Sequence, residues 1–423
     1  MRSALAIAAG RLVALLTRLR GGKGSGAPGL VTNRLAPALL PRVLGSFPQG
    51  LVIVSGTAGK STTTKMLSAV LRAHGLRVFT NSSTANLPQG ITSAILDQGD
   101  WRGRIDADIA VLELDEAHGA RMAGSYRARC VVLTNVMLDD LERFHSMDRV
   151  AGLLQTIAER STESVVLNID DAALAGLEAG LAGRGLAIGR YGVSAEVLAA
   201  QPHGLGYAET TTARLQGEGT LVRSIEGASA VLELDGVALP IRLPARGTHF
   251  AVDAAAAVEA ARALQGAAFD PDAAAAALSS LDPVFGRGET VQLAGQEIDL
   301  VLVQNTASFQ LNVDALDPQR GPVFAAVHEE EHDPSWLWTI DMSAIGNVAI
   351  ASGPKAQDLA ARLVYDGVRV DEVDRDLFAA FDRFLAMPHQ GPGRKTVLFT
   401  AQCMRDLRRH HGLVKDELRQ VVS

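Results

Sequence analysis

At 423 residues the chain is too long for one domain of ordinary size, so two or three are expected, each able to bury its own core. A hydrophobic share of 47% against 21% charged residues fits an alanine-rich globular protein, and a net charge of −7 argues against a nucleic-acid partner. Cys130 and Cys403, the two cysteines, sit in or beside apolar stretches and read as buried thiols rather than a disulfide or a metal site, which makes the cytoplasm the default compartment.

Residues 1–20 carry Leu5, Leu12, Leu16 and Leu19 among alanines, with Arg2, Arg11, Arg18 and Arg20 interspersed, the pattern of an amphipathic helix. Arg11 interrupts an apolar run that is too short to span a bilayer, and no small-residue cleavage site follows, so the stretch is not read as a signal peptide. The expectation is a helix docked on the protein's own core, with at most a peripheral contact at the inner face of a membrane. With the glycine-rich link 21–29 and a second short helix it makes an N-terminal segment, 1–48.

The next stretch, Val52-Ile-Val-Ser-Gly-Thr-Ala-Gly-Lys-Ser-Thr-Thr-Thr64, predicts a strand, a phosphate cradle and a helix start. Gly56 and Gly59 let backbone N–H groups approach phosphate oxygens, flanked by Thr57 and Ala58. Lys60 adds charge to the positive end of the helix dipole, and Ser61 or Thr62 can hold Mg²⁺ beside the phosphates. Two residues, not the usual four, separate the first glycine from the Gly-Lys pair.

From there strand and helix alternate. Residues 77–81, 108–115, 130–135 and 164–170 are apolar runs followed by polar turns or helical segments, which argues a parallel sheet flanked by helices. Ligand groups are expected at the carboxyl ends of those strands, where Asn81, Asn86, Glu113, Asp115, Glu116, Thr134, Asn135, Asp139, Asn168, Asp170 and Asp171 fall. Residues 192–244 read as inserted antiparallel hairpins, and 248–264 and 270–281 as helices, the second started by Asp270-Pro271. A boundary follows near 282–283. Beyond it, strands at 290–304, 322–327, 348–351 and 396–399 and helices at 355–364, 375–386 and 401–411 predict a smaller Rossmann-like α/β domain, 283–423, after a central domain 49–282.

The short loop resembles the form used by the Mur ligase family, the ATP-dependent amide ligases of peptidoglycan synthesis. Ala110-Val-Leu-Glu-Leu-Asp-Glu116, Leu133-Thr-Asn-Val-Met-Leu-Asp139, Leu167-Asn-Ile-Asp-Asp171, Gly247-Thr-His249 and Phe285-Gly-Arg-Gly-Glu289 follow in that family's order. Asn81-Ser-Ser-Thr-Ala-Asn-Leu-Pro-Gln-Gly-Ile-Thr-Ser93 and the Asp115-Glu116 pair bring it nearer to the family's ligase-like subunits that work with a glutaminase. The resemblance implies ATP and Mg²⁺ as cofactors, a class I glutaminase as partner, and amidation of the D-glutamate α-carboxyl of lipid II. It implies that Lys60 and Glu113 are catalytic, with Glu113 and Ser61 on the metal. Asp333, in His332-Asp-Pro-Ser-Trp336, would complete the partner's Cys-His pair. Arg287 would have a phosphate or interdomain role.

Two departures sharpen these expectations. Such subunits commonly carry a four-cysteine zinc ribbon, but 192–244 contains no cysteine, so no zinc is expected there. Phe250 and Asp253 stand where the family has asparagines near the adenine; Phe250 can stack on a base, and Asp253 can accept a hydrogen bond but not donate one. His328-Glu-Glu-Glu-His332 satisfies the H-E-x-x-H zinc-protease pattern, but it follows a strand and precedes Asp333-Pro334 instead of lying in a long helix. The alternatives are a stand-alone amide ligase using an amino acid on another carboxylate, and a non-catalytic ligase-like scaffold.

Overall fold

The run Leu51–Ser55 forms β1, and every residue of it is buried, as expected of an apolar strand covered on both faces. A computed structural model gives the fold, describing residues 2–19, 26–81, 86–137, 146–207, 219–282, 287–303, 306–329 and 334–413. Two units divide the chain: Met1–Val197 with Tyr207–Arg242 and Ala251–Leu281, and Leu198–Gly206 with Leu243–Phe250 and Asp282–Ser423.

In the first unit a nine-stranded sheet has the order β2-β3-β1-β4-β5-β6-β7-β8-β9. Its strands are β1, β2 Val78–Thr80, β3 Ile109–Glu113, β4 Ala128–Leu133, β5 Ser161–Asn168, β6 Ala187–Val193, β7 Thr220–Glu226, β8 Ser229–Leu234 and β9 Val237–Arg242. β1 through β7 pair in parallel, and β7, β8 and β9 pair antiparallel. The hairpins expected in 192–244 thus extend the sheet at one edge. Between β8 and β9, Asp235 and Gly236 have φ of 49° and 86°, the two left-handed residues that a tight hairpin turn requires.

β6 was not expected from the pattern, because Gly189 and Gly192 dilute its strand character. Both glycines make room: a Cβ on Gly189 would lie 2.9 Å from Glu259 Oε1, and one on Gly192 2.8 Å from Asp170 Oδ2.

The helix Arg2–Leu19 docks on this unit, but through its small residues. Ala6 and Ile7 join a core with Leu39, Val43, Phe47 and Phe79, whereas Leu5, Leu12, Leu16 and Leu19 face outward. The leucine stripe is therefore not the docking face. Gly10 is fitted so closely that a Cβ there would lie 2.1 Å from Thr32 Oγ1. The helix Pro271–Ser279 starts as Asp270-Pro271 predicts: the Asp270 carboxylate accepts from the N–H groups of Asp272 and Ala273.

The second unit has a six-stranded sheet of order β10-β11-β15-β12-β13-β14. Its strands are β10 Arg287–Leu293, β11 Gln296–Leu302, β12 Val323–Ala326, β13 Asn347–Ser352, β14 Arg369–Asp374 and β15 Lys395–Phe399. Where one strand was expected over 290–304, the described residues 287–302 form a hairpin instead, because Ala294 and Gly295 turn with φ of 49° and 75°. β14 reads Arg-Val-Asp-Glu-Val-Asp, a charged edge strand that hydrophobicity alone misses. Both units are α/β, the larger sheet mostly parallel and the second smaller.

Candidate active site

β1 lies between β3 and β4, all three parallel. The chain leaves β1 for β2 on one side and, after β3, crosses to β4 on the other. The loop that follows β1 thus stands where the connections reverse, at the carboxyl ends of the strands, the position at which open α/β sheets form their ligand crevice.

Gly56 and Gly59 have φ of 135° and 81°. A Cβ on Gly56 would lie 2.2 Å from Thr134 Oγ1, so the loop runs where only glycine fits. Asn135 at the end of β4 clamps the loop: its side chain accepts from Ala58 N at 2.8 Å and donates to Ala58 O at 3.1 Å, while its carbonyl accepts from Thr57 N at 3.0 Å. Thr57 Oγ1 accepts from Met137 N at 3.1 Å. The helix Lys60–Ala73 then begins at Gly59 with no side chain capping its first turn. Such an end offers N–H groups and positive dipole to an anion.

Lys60 Nζ donates to Gly56 O and, at 2.9 Å, to Thr57 O, with Glu116 Oε1 3.6 Å away. Ser61 Oγ donates to Glu113 Oε2 at 2.7 Å, and Asn86 Nδ2 donates to Glu113 Oε1 at 3.3 Å. Asn81 holds the backbone of Glu113 from both sides, donating to its carbonyl and accepting from its N–H, each at 3.0 Å. Both Glu113 and Glu116 are buried, and Thr62 is buried in the same helical turn. A hydroxyl and a carboxylate beside a phosphate cradle form an oxygen-only donor set, the kind that hard cations such as Mg²⁺ prefer. The residues present therefore fit a nucleotide phosphate with its cation.

Asp253, from the helix Thr248–Gln265, also belongs to this cluster. Thr63 Oγ1 donates to its Oδ1 at 3.3 Å, and a Cβ on Gly59 would lie 2.3 Å from that same oxygen. The carboxylate expected near a base thus sits against the phosphate loop.

Other strand-end groups are engaged in holding the fold. Asn168 donates to Thr134 O at 3.0 Å, and Asp171 accepts from Val136 N at 2.6 Å and caps the short helix Ala172–Ala175. Asp170 accepts from Val193 N at 2.7 Å, and burial pushes its carboxyl up to about 6. Burial also raises Asp171, although hydrogen bonds from Val136, Leu174 and Ala173 act the other way. Asp115 caps the helix Glu116–Arg121 and pairs with His118 Nδ1 at 2.9 Å. His74 is structural too, its Nδ1 donating to Val70 O and its Nε2 accepting from Asp270 N, both at 2.8 Å.

Phe250 and Arg287 fall in the second unit. Phe250 is 1% exposed, its ring 4.2 Å from that of His249, so the stacking face expected of it is not open. Arg287 opens β10. Asp333 and residues 330–332 of the H-E-x-x-H match lie outside the described residues, as does Asp139. Reasoning from sequence marked Glu116 and Asn135 only as strand-end groups, without these partners, and missed the phosphate-loop position of Asp253. For the first two the signal was their place at strand ends; for Asp253 no local pattern marks a partner some 190 residues away in sequence.

Comparison with known proteins agrees with this geometry. Residues 54–261 match the Mur ligase middle domain. The MurT subunit of lipid II isoglutaminyl synthase (glutamine-hydrolyzing) from Streptococcus pneumoniae is 26% identical over 413 residues, covering 88% of this chain and 89% of that protein. The MurT subunit from Staphylococcus aureus is 31% identical over 172 residues, but that match spans only 40% of this chain and 38% of the relative. Among solved structures, MurF from Acinetobacter baumannii superposes with a TM-score of 0.67 at 18% identity, covering 90% of this chain and 81% of that one, a likeness of fold.

Proposed function

Because the chain belongs to the Mur ligase family and is similar to MurT along most of its length, we propose that it is the ATP-dependent ligase subunit of a two-protein amidotransferase. Its substrate would be the α-carboxyl of D-glutamate in the stem peptide of lipid II, and its product D-isoglutamine. A carboxylate is a poor acyl group at neutral pH. In the proposed reaction a carboxylate oxygen attacks the γ-phosphorus of ATP, the bond from that phosphorus to the bridging oxygen breaks, and ADP leaves. Ammonia then attacks the acyl carbon, loses a proton and expels phosphate.

The buried Ser61–Glu113 pair at the head of the phosphate-loop helix carries this reading. A buried carboxylate there repels phosphate unless a cation stands between them, so the pair supports binding of a nucleotide together with its metal. Ser61 and Glu113 would hold Mg²⁺, which supplies charge neutralisation on the transferring phosphoryl group. Lys60 would exchange its contacts with the Gly56 and Thr57 carbonyls for phosphate oxygens. Ammonium has no lone pair, so a class I glutaminase releasing ammonia into the site meets a chemical need. Asp333 is the residue proposed to complete that partner's Cys-His pair.

A Lys60→Ala variant is expected to lose ATP turnover. Asp333→Asn is expected to abolish glutamine hydrolysis in the complex while leaving ATP binding intact. ATP turnover driven by an added amino acid without any glutaminase would favour a stand-alone ligase instead, and failure to bind ATP would leave only a scaffold.

A further inference from the structure

The N-terminal helix leaves a large apolar surface uncovered. Leu5, Leu12, Leu15, Leu16 and Leu19 are each between 48% and 74% exposed. Four of them, residues 5, 12, 16 and 19, fall within about 60° of one another at the helical rotation of roughly 100° per residue, opposite the docked face of Ala6, Ile7 and Gly10. Beside them Trp101 is 63% exposed, and the guanidinium of Arg11 lies 4.9 Å from its ring centroid. Single exposed leucines are ordinary on soluble proteins, but a row of five with a tryptophan at its side marks a contact surface.

Charge identifies the contact. Residues 1–96 contain no Asp or Glu and eleven Arg or Lys, in a chain whose net charge is −7. Residues 97–423 carry 29 Arg or Lys against 47 Asp or Glu, so the excess of negative charge lies outside this segment. No described helix is long and apolar enough to cross a membrane. We infer that this face docks on the surface of an anionic lipid bilayer, the helix Arg2–Leu19 lying in the interface plane. Its leucines and Trp101 would enter the boundary between headgroups and acyl chains, with Arg11 against anionic headgroups. A second copy of this chain would set the same basic segment against itself. The inference stands apart from the amidation reading, although a lipid-linked substrate would suit a site held at that surface.

Flotation of the purified full chain with vesicles tests it. Binding is expected to vesicles of phosphatidylcholine mixed with phosphatidylglycerol, to fall with added salt, and to be weak on phosphatidylcholine alone. The double variant Leu12→Glu, Leu16→Glu should weaken binding by about tenfold or more while melting temperature and ATP binding stay unchanged, because both positions face outward. Tryptophan emission should shift to the blue on adding anionic vesicles, and Trp101→Phe should remove that shift. The proposal is overturned if the chain ignores anionic vesicles or if the double variant binds them as well as the parent. It is equally overturned if the stripe mediates a dimer, or is covered in a complex with a glutaminase.

Discussion

Asp253 and Gly59 are so closely apposed that a methyl group on residue 59 would lie 2.3 Å from Asp253 Oδ1. A carboxylate in contact with the phosphate loop disfavours the anion that the loop is built to hold. Asp253→Asn keeps the shape and an acceptor for Thr63 while removing the charge. It should tighten binding of ATP with Mg²⁺ by about fivefold, roughly 1 kcal/mol of relieved repulsion. Gly59→Ala should weaken binding by more than about tenfold, since it adds both the collision and a left-handed strain. Calorimetry with ATP and Mg²⁺ reads both, and unchanged affinity in Asp253→Asn would remove the carboxylate from the phosphate site.

Ser61 and Glu113 are expected to act as one unit on the cation. Ser61→Ala or Glu113→Gln should each lower ATP turnover by about 10²-fold or more and move the Mg²⁺ dependence to higher concentration. A Mg²⁺ titration of ATP hydrolysis separates this from simple unfolding, because the parent and variants are compared at saturating metal. A loss of turnover with an unaltered Mg²⁺ profile would assign the pair a structural part only.

Asn135 ties the loop to β4 through both ends of its amide. Asn135→Asp retains the acceptor and loses the donor to Ala58 O, placing a negative charge against a carbonyl. A loss of about 1–3 kcal/mol in stability is expected, with weaker nucleotide binding, measured by thermal melting with and without ATP. Wild-type behaviour in both would show that the clamp does not shape the loop.

Asp170 gives a pH dependence with a definite sign. Burial raises its carboxyl from 3.8 to about 6 in the folded chain. The fold thus favours the protonated form, so its stabilisation is complete below pH 3.8 and is lost as the pH rises through 6. Asp170→Asn, which can still accept from Val193 N, should therefore be more stable than the parent at pH 8 by up to about 3 kcal/mol. The advantage should shrink towards pH 4. Denaturant melts across this range check it, and a difference independent of pH would contradict the assignment.

How much of this was legible in the chain follows from distance along it. The strand, glycines, lysine and hydroxyls at 52–64 are contiguous, so local chemistry announces a phosphate cradle, and Glu113 was marked by ending an apolar run. Alternating runs likewise announce the parallel sheet. β6 was hidden because its glycines serve neighbours from other elements, Glu259 and Asp170, which no window around residue 190 reveals. The leucines of the first helix misled for a related reason: periodicity reports an apolar stripe without saying whether protein or something else covers it. Asn168, Asp170 and Asp171 read as ligand groups from their place at a strand end, yet each is tied to a backbone group of the fold.

The proposed step is activation of a carboxylate at the phosphate site for attack by ammonia. The most direct test of this step is mass spectrometry of lipid II incubated with the protein, a class I glutaminase, glutamine, ATP and Mg²⁺, with ammonium chloride at alkaline pH replacing glutaminase and glutamine in a parallel reaction. Conversion of one glutamate carboxyl to an amide is expected in both reactions, dependent on ATP and abolished by Lys60→Ala. An unmodified substrate in both, from protein shown to bind ATP, would contradict it.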